Sequence, residues 1–201
     1  MTCADEAAVW VNPPNVDNLV ELQKRTRSYA ESLNLIVSTP TYKENPFWRE
    51  FLKGSQGYYY LRCCNCRELT MKSCNLNLLQ FDSTFNEELK QYQVQQGTCR
   101  IICPQCKYEH TEDQKEWMIK NGGYVHTYPE LAELNPSYQC SVLASLLSTH
   151  CWNNIANIIL SQGKKAELTD YVSFDNSIRG LPYQHRDYNK QDETAISKHF
   201  Y

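Results

Sequence analysis

Residues 62–67 read Arg-Cys-Cys-Asn-Cys-Arg and residues 102–107 read Ile-Cys-Pro-Gln-Cys-Lys, and these two stretches decide the fold. Each one places two cysteines three positions apart. A tight turn of this length brings its two sulfurs to one side, and two such turns face to face complete the tetrahedral thiolate shell that Zn²⁺ prefers. The sequence therefore predicts a zinc ribbon. Its predicted metal ligands are Cys63, Cys66, Cys103 and Cys106.

The segment between the two pairs is longer than in most zinc fingers. It runs from Arg67 to Ile102, whereas the usual interval is about 15 to 20 residues, so we expect an inserted loop or helix. Two other interpretations stay open. The thiolates could hold iron or act in redox chemistry, or the cysteines could be unrelated buried thiols. Cys64 and Cys99 lie beside the pairs, but their spacing does not fit the motif.

Composition indicates a soluble globular protein. The chain has 201 residues, of which 41% are hydrophobic and 21% charged. An N-terminal secretion signal is not recognisable, so the ten cysteines favour a reducing cytosol over a disulfide framework. The apolar stretches fall far short of the roughly 20 residues that span a bilayer, which argues against membrane insertion. A formal net charge of -3 gives no global attraction to nucleic acid.

Local patterns predict an α/β arrangement whose C-terminal part is helical. Capping residues, Pro and Gly punctuation and apolar periodicity predict the helices, and short aromatic or β-branched runs predict the strands. The strand over residues 33–37 is expected to be buried. The predicted helices cover residues 18–31 after Asp17, 47–53, a segment from Thr111 through Ile119, 152–160 and 168–178, and the predicted strands cover 33–37, 58–61 and 138–143.

A further group of polar residues lies near the start of the chain. Asp5-Glu6 is an acidic pair, and Ser38-Thr39-Pro40 closes the strand over residues 33–37. In nucleoside triphosphatases with a parallel sheet, such a pair holds Mg²⁺ and orients the attacking water, and the next strand ends in a turn that senses the γ-phosphate. Taken alone, an acidic pair is usually a solvated surface and Ser-Thr-Pro a plain turn.

These motifs follow one another in an informative order around the cysteine pairs. Together they resemble the lambda-type large terminase subunit family of tailed bacteriophages, over nearly the whole chain up to about Tyr183. The segments that carry the resemblance are Asp-Glu-Ala-Ala-Val-Trp at 5–10, the arginine-bearing helix, Leu-Ile-Val-Ser-Thr-Pro-Thr at 35–41, residues 47–54, the tyrosines at 58–60 before the first cysteine pair, the second pair, and residues 117–123, 141–152 and 174–183.

The resemblance implies the ATP-driven motor that packages viral DNA into the procapsid during virion assembly, in the cytoplasm of the infected bacterial host. By position, Asp5 matches the Mg²⁺-binding carboxylate, Glu6 the residue that activates water, and Ser38-Thr39-Pro40 the coupling motif, with Ser38 and Thr39 near the nucleotide. The four cysteines match the family's zinc knuckles. Implied cofactors are structural Zn²⁺ and, in a complete motor, Mg²⁺ and ATP. Implied partners are double-stranded viral DNA, other terminase polypeptides, the small terminase subunit and the portal.

The sequence also departs from that family. It lacks the Gly-rich loop ending in Gly-Lys-Ser/Thr that cradles phosphates, and an acidic cluster for a two-metal nuclease does not follow Tyr183. We therefore expect an internal piece of a larger protein, as a split gene, a truncated reading frame or an engineered segment would give, that neither binds ATP tightly nor hydrolyses it alone. The expected fold is a partial P-loop-type ATPase sheet layer with an inserted zinc ribbon and a helical C-terminal part. The expected divisions are residues 1–57 in the ATPase α/β domain, 58–110 in the ribbon, 111–183 in the closing segment and 184–201 as a linker or tail.

Two alternatives belong to other functional classes. A free-standing zinc-ribbon module could bind nucleic acid or a partner protein through cations beside the knuckles. A cysteine nucleophile with a histidine base would need the fold to bring the two within hydrogen-bond reach, and the sequence carries no nucleophile signature. The cations are Arg62, Arg67, Arg100 and Lys107, and the histidines are His110, His126, His150, His185 and His199.

Overall fold

A computed structural model describes residues 2–11, 16–29, 32–162 and 168–184, which form a mixed α/β structure. Within these residues the strands form four separate sheets. The helices are α1 (Asn18–Thr26), α2 (Pro46–Lys53), α3 (Lys115–Lys120), α4 (Trp152–Gln162) and α5 (Leu168–Ser173). The strands are β1 (Thr2–Ala4), β2 (Asn34–Ile36), β3 (Gly57–Arg62), β4 (Leu69–Lys72), β5 (Leu79–Gln80), β6 (Ser83–Asn86), β7 (Gln91–Val94), β8 (Arg100–Ile102), β9 (Glu109–His110), β10 (Gly123–His126) and β11 (Tyr138–Gln139).

The first unit is a parallel pair of strands joined through a helix. β1 pairs with β2 in parallel, with Ala4 opposite Ile36. α1 begins as predicted, because the Asp17 carboxylate accepts a hydrogen bond from Leu19 N–H at 3.0 Å and caps the helix. A small core fixes the helix against the strands. It consists of Ala4, Ala7 and Leu19, with Trp10, Leu22, Ile36 and Phe47 packed against it.

Two sequence expectations in this unit are wrong. α1 ends at Thr26 rather than continuing to residue 31, and Tyr29 N–H donates to Thr26 O in the turn that follows; residues 30 and 31 lie outside the described residues. The strand predicted to be buried leaves Leu35 47% and Val37 48% exposed. Parallel strands are buried where both faces are covered, and the exposure of Leu35 and Val37 shows that one face of this strand is uncovered in the described part of the chain.

The next elements are α2 and the central sheet. α2 confirms the predicted helix, with Asn45 as its cap, Pro46 in its first turn and Gly54 just past its end. β3 is the centre of a four-stranded sheet. β10 runs antiparallel along one edge of β3, and β4 (antiparallel) and β11 (parallel) share the other edge.

The cysteine turns join pairs of antiparallel strands. The first turn connects β3 to β4, and the second connects β8 to β9. β8 also pairs with β5, so β5, β8 and β9 form a three-stranded sheet. The insertion expected between the turns is present, but it is mainly β-structure rather than a loop or helix. That interval holds short strands and an antiparallel hairpin of β6 and β7, and its helical structure is limited to a 3₁₀ turn, Leu76–Leu78.

One main core lies beneath these sheets. It combines residues of the ribbon strands with residues of α3 and α4, so the cysteine turns and the later helices share the same packed interior. Its largest fully buried apolar side chains are Leu61, Met71, Leu79, Ile101, Met118, Leu143, Trp152 and Ile155.

The C-terminal part differs from the sequence prediction in two places. The strand predicted for residues 138–143 stops at Gln139, because Ser141 Oγ accepts from Leu143 N–H at 3.3 Å and starts a 3₁₀ turn. The helix predicted for residues 168–178 is α5 followed by a π-helical segment, Phe174–Arg179. Gly180 ends this segment in the left-handed region with φ 65°.

Other predictions for this part are confirmed. Thr111 precedes a 3₁₀ turn that leads into α3, and Thr111 N–H donates to Gln114 Oε1 at 3.3 Å. α4 covers the predicted helix at 152–160. Residues 185–201 of the predicted tail lie outside the described residues. Among the helices that the structure describes, none has the length and apolarity to cross a membrane.

Candidate functional site

The two Cys-x-x-Cys turns have the same backbone structure. In the first turn, Cys63 N–H donates to Glu68 O and Arg67 N–H donates to Cys63 O, both at 3.1 Å. The corresponding bonds of the second turn, from Cys103 N–H and Lys107 N–H, are both 3.0 Å long. Arg67 and Lys107 have φ of 65° and 61°, a left-handed conformation that returns the chain to the next strand. The shared backbone structure places the two thiols of each turn on one side of that turn.

The four predicted ligands lie together. Their Sγ atoms are all within 4.8 Å of one another. The sulfurs of Cys63 and Cys106 are 3.6 Å apart, and those of Cys66 and Cys103 are 3.8 Å apart. Four sulfurs at about 2.3 Å from a tetrahedral Zn²⁺ would be about 3.8 Å from one another. The cluster can therefore hold a metal ion such as zinc.

The thiols of the cluster differ in acidity. Burial raises the pKa of the Cys63 thiol to about 12. The backbone N–H of Tyr108 hydrogen-bonds the Cys106 sulfur and lowers its pKa to about 6. Burial of Cys103 acts to raise its pKa, but the hydrogen bond from Cys106 N–H helps to make the net shift downward. Since Zn²⁺ binds thiolates, metal binding would release the protons that these thiols still hold.

Backbone N–H groups also point at the sulfur of Cys63. Asn65 N–H and Cys66 N–H both lie 3.4 Å from Cys63 Sγ. Such donors stabilise negative charge on a sulfur. In the described part of the chain the cluster consists of the four predicted cysteines, and Cys64 and Cys99 are not members.

Two cations fix the first turn to the neighbouring helix. Arg62 donates from Nε to Asn121 O at 2.7 Å and from Nη1 to Arg67 O at 2.6 Å. The Arg67 guanidinium lies 4.5 Å from the centre of the Trp117 ring on α3, a cation–π distance. These contacts hold the first turn against the C-terminal end of α3.

The two remaining cations near the turns are also engaged within the chain. Arg100 lies 3.5 Å from a Glu109 carboxylate oxygen and 3.6 Å from one of Asp82. Lys107 Nζ donates to Pro104 O at 2.9 Å. All four cations that the sequence offered for nucleic-acid contact therefore have intramolecular partners.

The acidic pair and the coupling turn come together at one edge of the first sheet. Asp5 and Glu6 follow β1, whereas Ser38 and Thr39 follow β2, and the parallel pairing puts both ends on the same side. Ala8 N–H donates to Ser38 Oγ at 2.9 Å. Asp5, Glu6 and Thr39 are exposed and Ser38 is half-buried. The structure thus brings the four predicted nucleotide-site residues into one region.

The backbone at the acidic pair is unusual. Glu6 adopts a left-handed conformation with φ 51°, which is uncommon for a residue other than glycine. Its N–H donates to Asp5 Oδ1 at 3.0 Å. Both carboxylates remain accessible to solvent, which suits a Mg²⁺ ion that keeps several water and phosphate ligands.

Asn45 caps α2 and also connects the turns around this site. Its Oδ1 accepts from Phe47 N–H at 2.9 Å, which caps α2. Its Nδ2 donates to Ala8 O at 2.7 Å and to Thr41 Oγ1 at 2.9 Å. One amide therefore joins the segment that follows the acidic pair, the residue that follows Ser38-Thr39-Pro40, and α2. The Asn-Pro dipeptide predicts the cap, but the two distant partners leave no local signal.

The histidines do not support a cysteine–histidine nucleophile. His126 Nδ1 and His150 Nδ1 contact the hydroxyls of Ser55 and Ser145, both at 2.8 Å. Both ring nitrogens of His110 contact backbone groups. His185 and His199 lie outside the described residues.

The sequence of the region that holds these sites matches a known protein family. Residues 5–124 match the family model for the phage terminase large subunit gpA, ATPase domain. The match covers more than half of the chain and includes the acidic pair, the coupling turn and both cysteine turns. The chain belongs to this terminase family. Its role is accordingly in phage DNA packaging. Searches of curated proteins and of solved structures gave no match.

The terminase match ends inside the central sheet. Its last residue, Tyr124, lies in β10 opposite Tyr59 of β3. Trp152 and Ile155 of α4 follow the matched region and pack in the same core as Leu61 and Met118 within it. The later helices therefore complete the interior of the terminase domain.

Proposed function

We propose that this chain is of the lambda type among terminase large subunits and forms part of the ATP-driven motor that packages viral DNA into the procapsid. The family match over residues 5–124 carries the proposal. The geometry supports it, because two adjacent parallel strands end in an acidic pair and a Ser-Thr turn. Ligands in such sheets bind at the carboxyl ends of the strands.

Each residue of this edge has a proposed role. Asp5 would hold Mg²⁺, which offsets phosphate charge when bound, with water and phosphate oxygens as its other ligands. Glu6 would orient a water molecule and accept its proton. Ser38 and Thr39, followed by Pro40, would respond to the γ-phosphate and pass the change to the segment that follows. The hydrogen bond from Ala8 N–H to Ser38 Oγ joins this turn to the segment that follows the acidic pair, which supports placing both at one nucleotide site.

The proposed fold is a P-loop-type sheet layer with an inserted ribbon. We propose that the phosphate-binding loop is supplied by another segment, of the same protein or of a partner, so that residues 1–201 alone are not catalytically self-sufficient. The proposed divisions are residues 1–57 for the ATPase layer, 58–110 for the ribbon, 111–183 for the closing segment and 184–201 for a linker or tail.

The four cysteines would hold a structural Zn²⁺ ion. The sulfur separations and the paired turns support this assignment. A closed four-thiolate shell leaves no position for a substrate, so the ion would stabilise the ribbon rather than catalyse a reaction.

The proposed partners follow from the terminase assignment. They are double-stranded viral DNA, other terminase polypeptides including the small subunit, and the portal, and the proposed place of action is the cytoplasm of the infected host. The contacts favour a scaffold role for the ribbon over direct DNA binding. Arg62, Arg67, Arg100 and Lys107 are engaged within the chain, which leaves fewer of their N–H donors for phosphate.

Phosphate release tests the motor assignment. The isolated chain is expected to show no DNA-stimulated hydrolysis of ATP, and a polypeptide carrying a phosphate-binding loop should restore it. Glu6→Gln should lower the restored rate by about 100-fold or more, because it removes the proton acceptor. Glu133→Gln, the same change at an exposed site, is the matched control. Hydrolysis by the chain alone, no hydrolysis in the mixture, or an unchanged rate with Glu6→Gln would contradict the proposal.

A further inference from the structure

The similarity of the two cysteine turns extends into the strands that follow them. Thr70 lies seven positions after Cys63, and His110 lies seven positions after Cys103. Thr70 is in β4 and His110 is in β9. These two residues thus hold equivalent sequence positions after the two turns, although a register irregularity in the first half puts Met71 rather than Thr70 opposite Leu61. Each of them contacts the opposite half.

His110 reaches from the second half to the first. It is fully buried, its Nδ1 lies 3.0 Å from Ile101 O, and its Nε2 accepts from Cys64 N–H at 3.1 Å. Because a carbonyl can only accept, Nδ1 carries the proton and Nε2 is free to accept. The equivalent of Cys64 in the second turn is Pro104, which has no N–H. The donor that His110 pairs therefore exists in the first turn alone.

Thr70 reaches in the opposite direction. Its Oγ1 lies 3.5 Å from Cys103 Sγ, a ligand in the second turn. A hydroxyl can donate to a thiolate sulfur, which orients the ligand and stabilises its charge. His110 and Thr70 therefore add two contacts between the halves, one at the backbone of the first turn and one at a sulfur of the second.

We propose that Thr70 and His110 form a reciprocal brace that holds the two cysteine turns at metal-binding separation and sets the affinity of the site for Zn²⁺. This inference rests on the proposed zinc site. Both are positioning residues, since neither is among the four clustered ligands. Contacts that orient metal ligands typically change metal affinity by about 10- to 100-fold when removed.

Substitutions of His110 can separate its contact with Cys64 in the first half of the ribbon from its contact with Ile101 in its own half. His110→Asn keeps an amide donor near the place of Nδ1 but has no acceptor near Nε2, whereas His110→Gln can put its side-chain oxygen within reach of Cys64 N–H. Thr70→Val preserves shape and removes the hydroxyl. Thr84→Val makes the same change on exposed β6 and is the matched control. Zn²⁺ affinity is measured on the full chain by chelator competition, and the ligand set by Co²⁺ absorption.

We expect a tetrahedral thiolate Co²⁺ spectrum from the unaltered chain, and Zn²⁺ binding weaker by about 10-fold in His110→Asn. His110→Gln should recover most of that affinity, Thr70→Val should bind several-fold more weakly, and Thr84→Val should bind normally. Unchanged Zn²⁺ affinity in both His110→Asn and Thr70→Val, with a normal thiolate spectrum, would overturn the brace and leave the zinc site intact. Absence of a thiolate spectrum from the unaltered chain would instead overturn the zinc site itself.

Discussion

Among single residues, Cys103 is the predicted ligand whose loss is most informative. It is fully buried, and its sulfur lies 3.8 Å from that of Cys66. Cys103→Ser replaces a thiolate with a hydroxyl that stays protonated at neutral pH. We expect loss of bound zinc and unfolding of residues 58–108, at a cost on the order of several kcal/mol, because metal binding supplies folding free energy. Metal analysis and hydrogen exchange measure the two effects.

Removal of zinc by a chelator should have the same consequence as Cys103→Ser. The control is Cys3→Ser, since Cys3 is exposed and lies outside the cluster. That variant should keep its zinc and its exchange protection. Unchanged metal content and an unchanged thermal melt in Cys103→Ser would argue against the assigned ligand shell.

Asn45 carries a second residue-scale prediction. Asn45→Asp keeps the acceptor that caps α2 but replaces the amide that donates to Ala8 O and Thr41 Oγ1. We expect a loss of about 1–2 kcal/mol in the free energy of unfolding, and about 2–3 kcal/mol for Asn45→Ala, which also removes the cap. Urea denaturation measures both variants.

An exposed capping residue provides the control for Asn45. Asn75 Oδ1 accepts from Asn77 N–H at a 3₁₀ turn, and Asn75→Asp should change stability by less than about 0.5 kcal/mol. If Asn45→Asp were as stable as the unaltered chain, the proposed link between the acidic-pair turn and the coupling turn would be wrong.

At the scale of elements, the hairpin of β6 and β7 can be tested as an insertion. Its base is closed by Gln95 N–H, which donates to Asp82 O at 2.8 Å, and its last strand contacts α4 through Val94 N–H and Asn157 Oδ1 at 3.5 Å. Replacement of residues 83–94 by a two-residue Asn-Gly turn should leave zinc stoichiometry intact. The loss of partly buried Val94 should cost about 1–2 kcal/mol in unfolding free energy. Loss of zinc from the shortened chain would show that the hairpin supports the metal site.

Elements were predictable where their signals are local. α2 was found because its cap, its first-turn proline and its terminal glycine are adjacent to it in sequence. The β6–β7 hairpin was missed because its turn, residues 87–90, has no Asn-Gly or Asp-Gly signal and places Lys90 at φ 50°. The prediction that β2 is buried was wrong, because burial depends on what covers a strand and its own apolar sequence does not reveal that.

Across the whole molecule, the site was predictable from sequence where its signals are local, and not where distant segments meet. Each cysteine pair is a local motif, so all four members of the cluster could be named from their spacing. The contacts of Asn45, Thr70 and His110 join segments distant in the chain, and only the fold brings them together. Leu61 and Ile101 next to the cysteine turns share a close-packed core with Trp152 of α4. A change at the cysteine cluster should therefore alter the packing of α4.

Zinc K-edge X-ray absorption on the purified chain, with metal quantification, tests the central claim most directly. The four-cysteine assignment predicts one zinc per chain, bound by four sulfurs at about 2.3 Å with no nitrogen or oxygen among its direct ligands. A chain without stoichiometric zinc, or direct ligands that include nitrogen or oxygen, would contradict it.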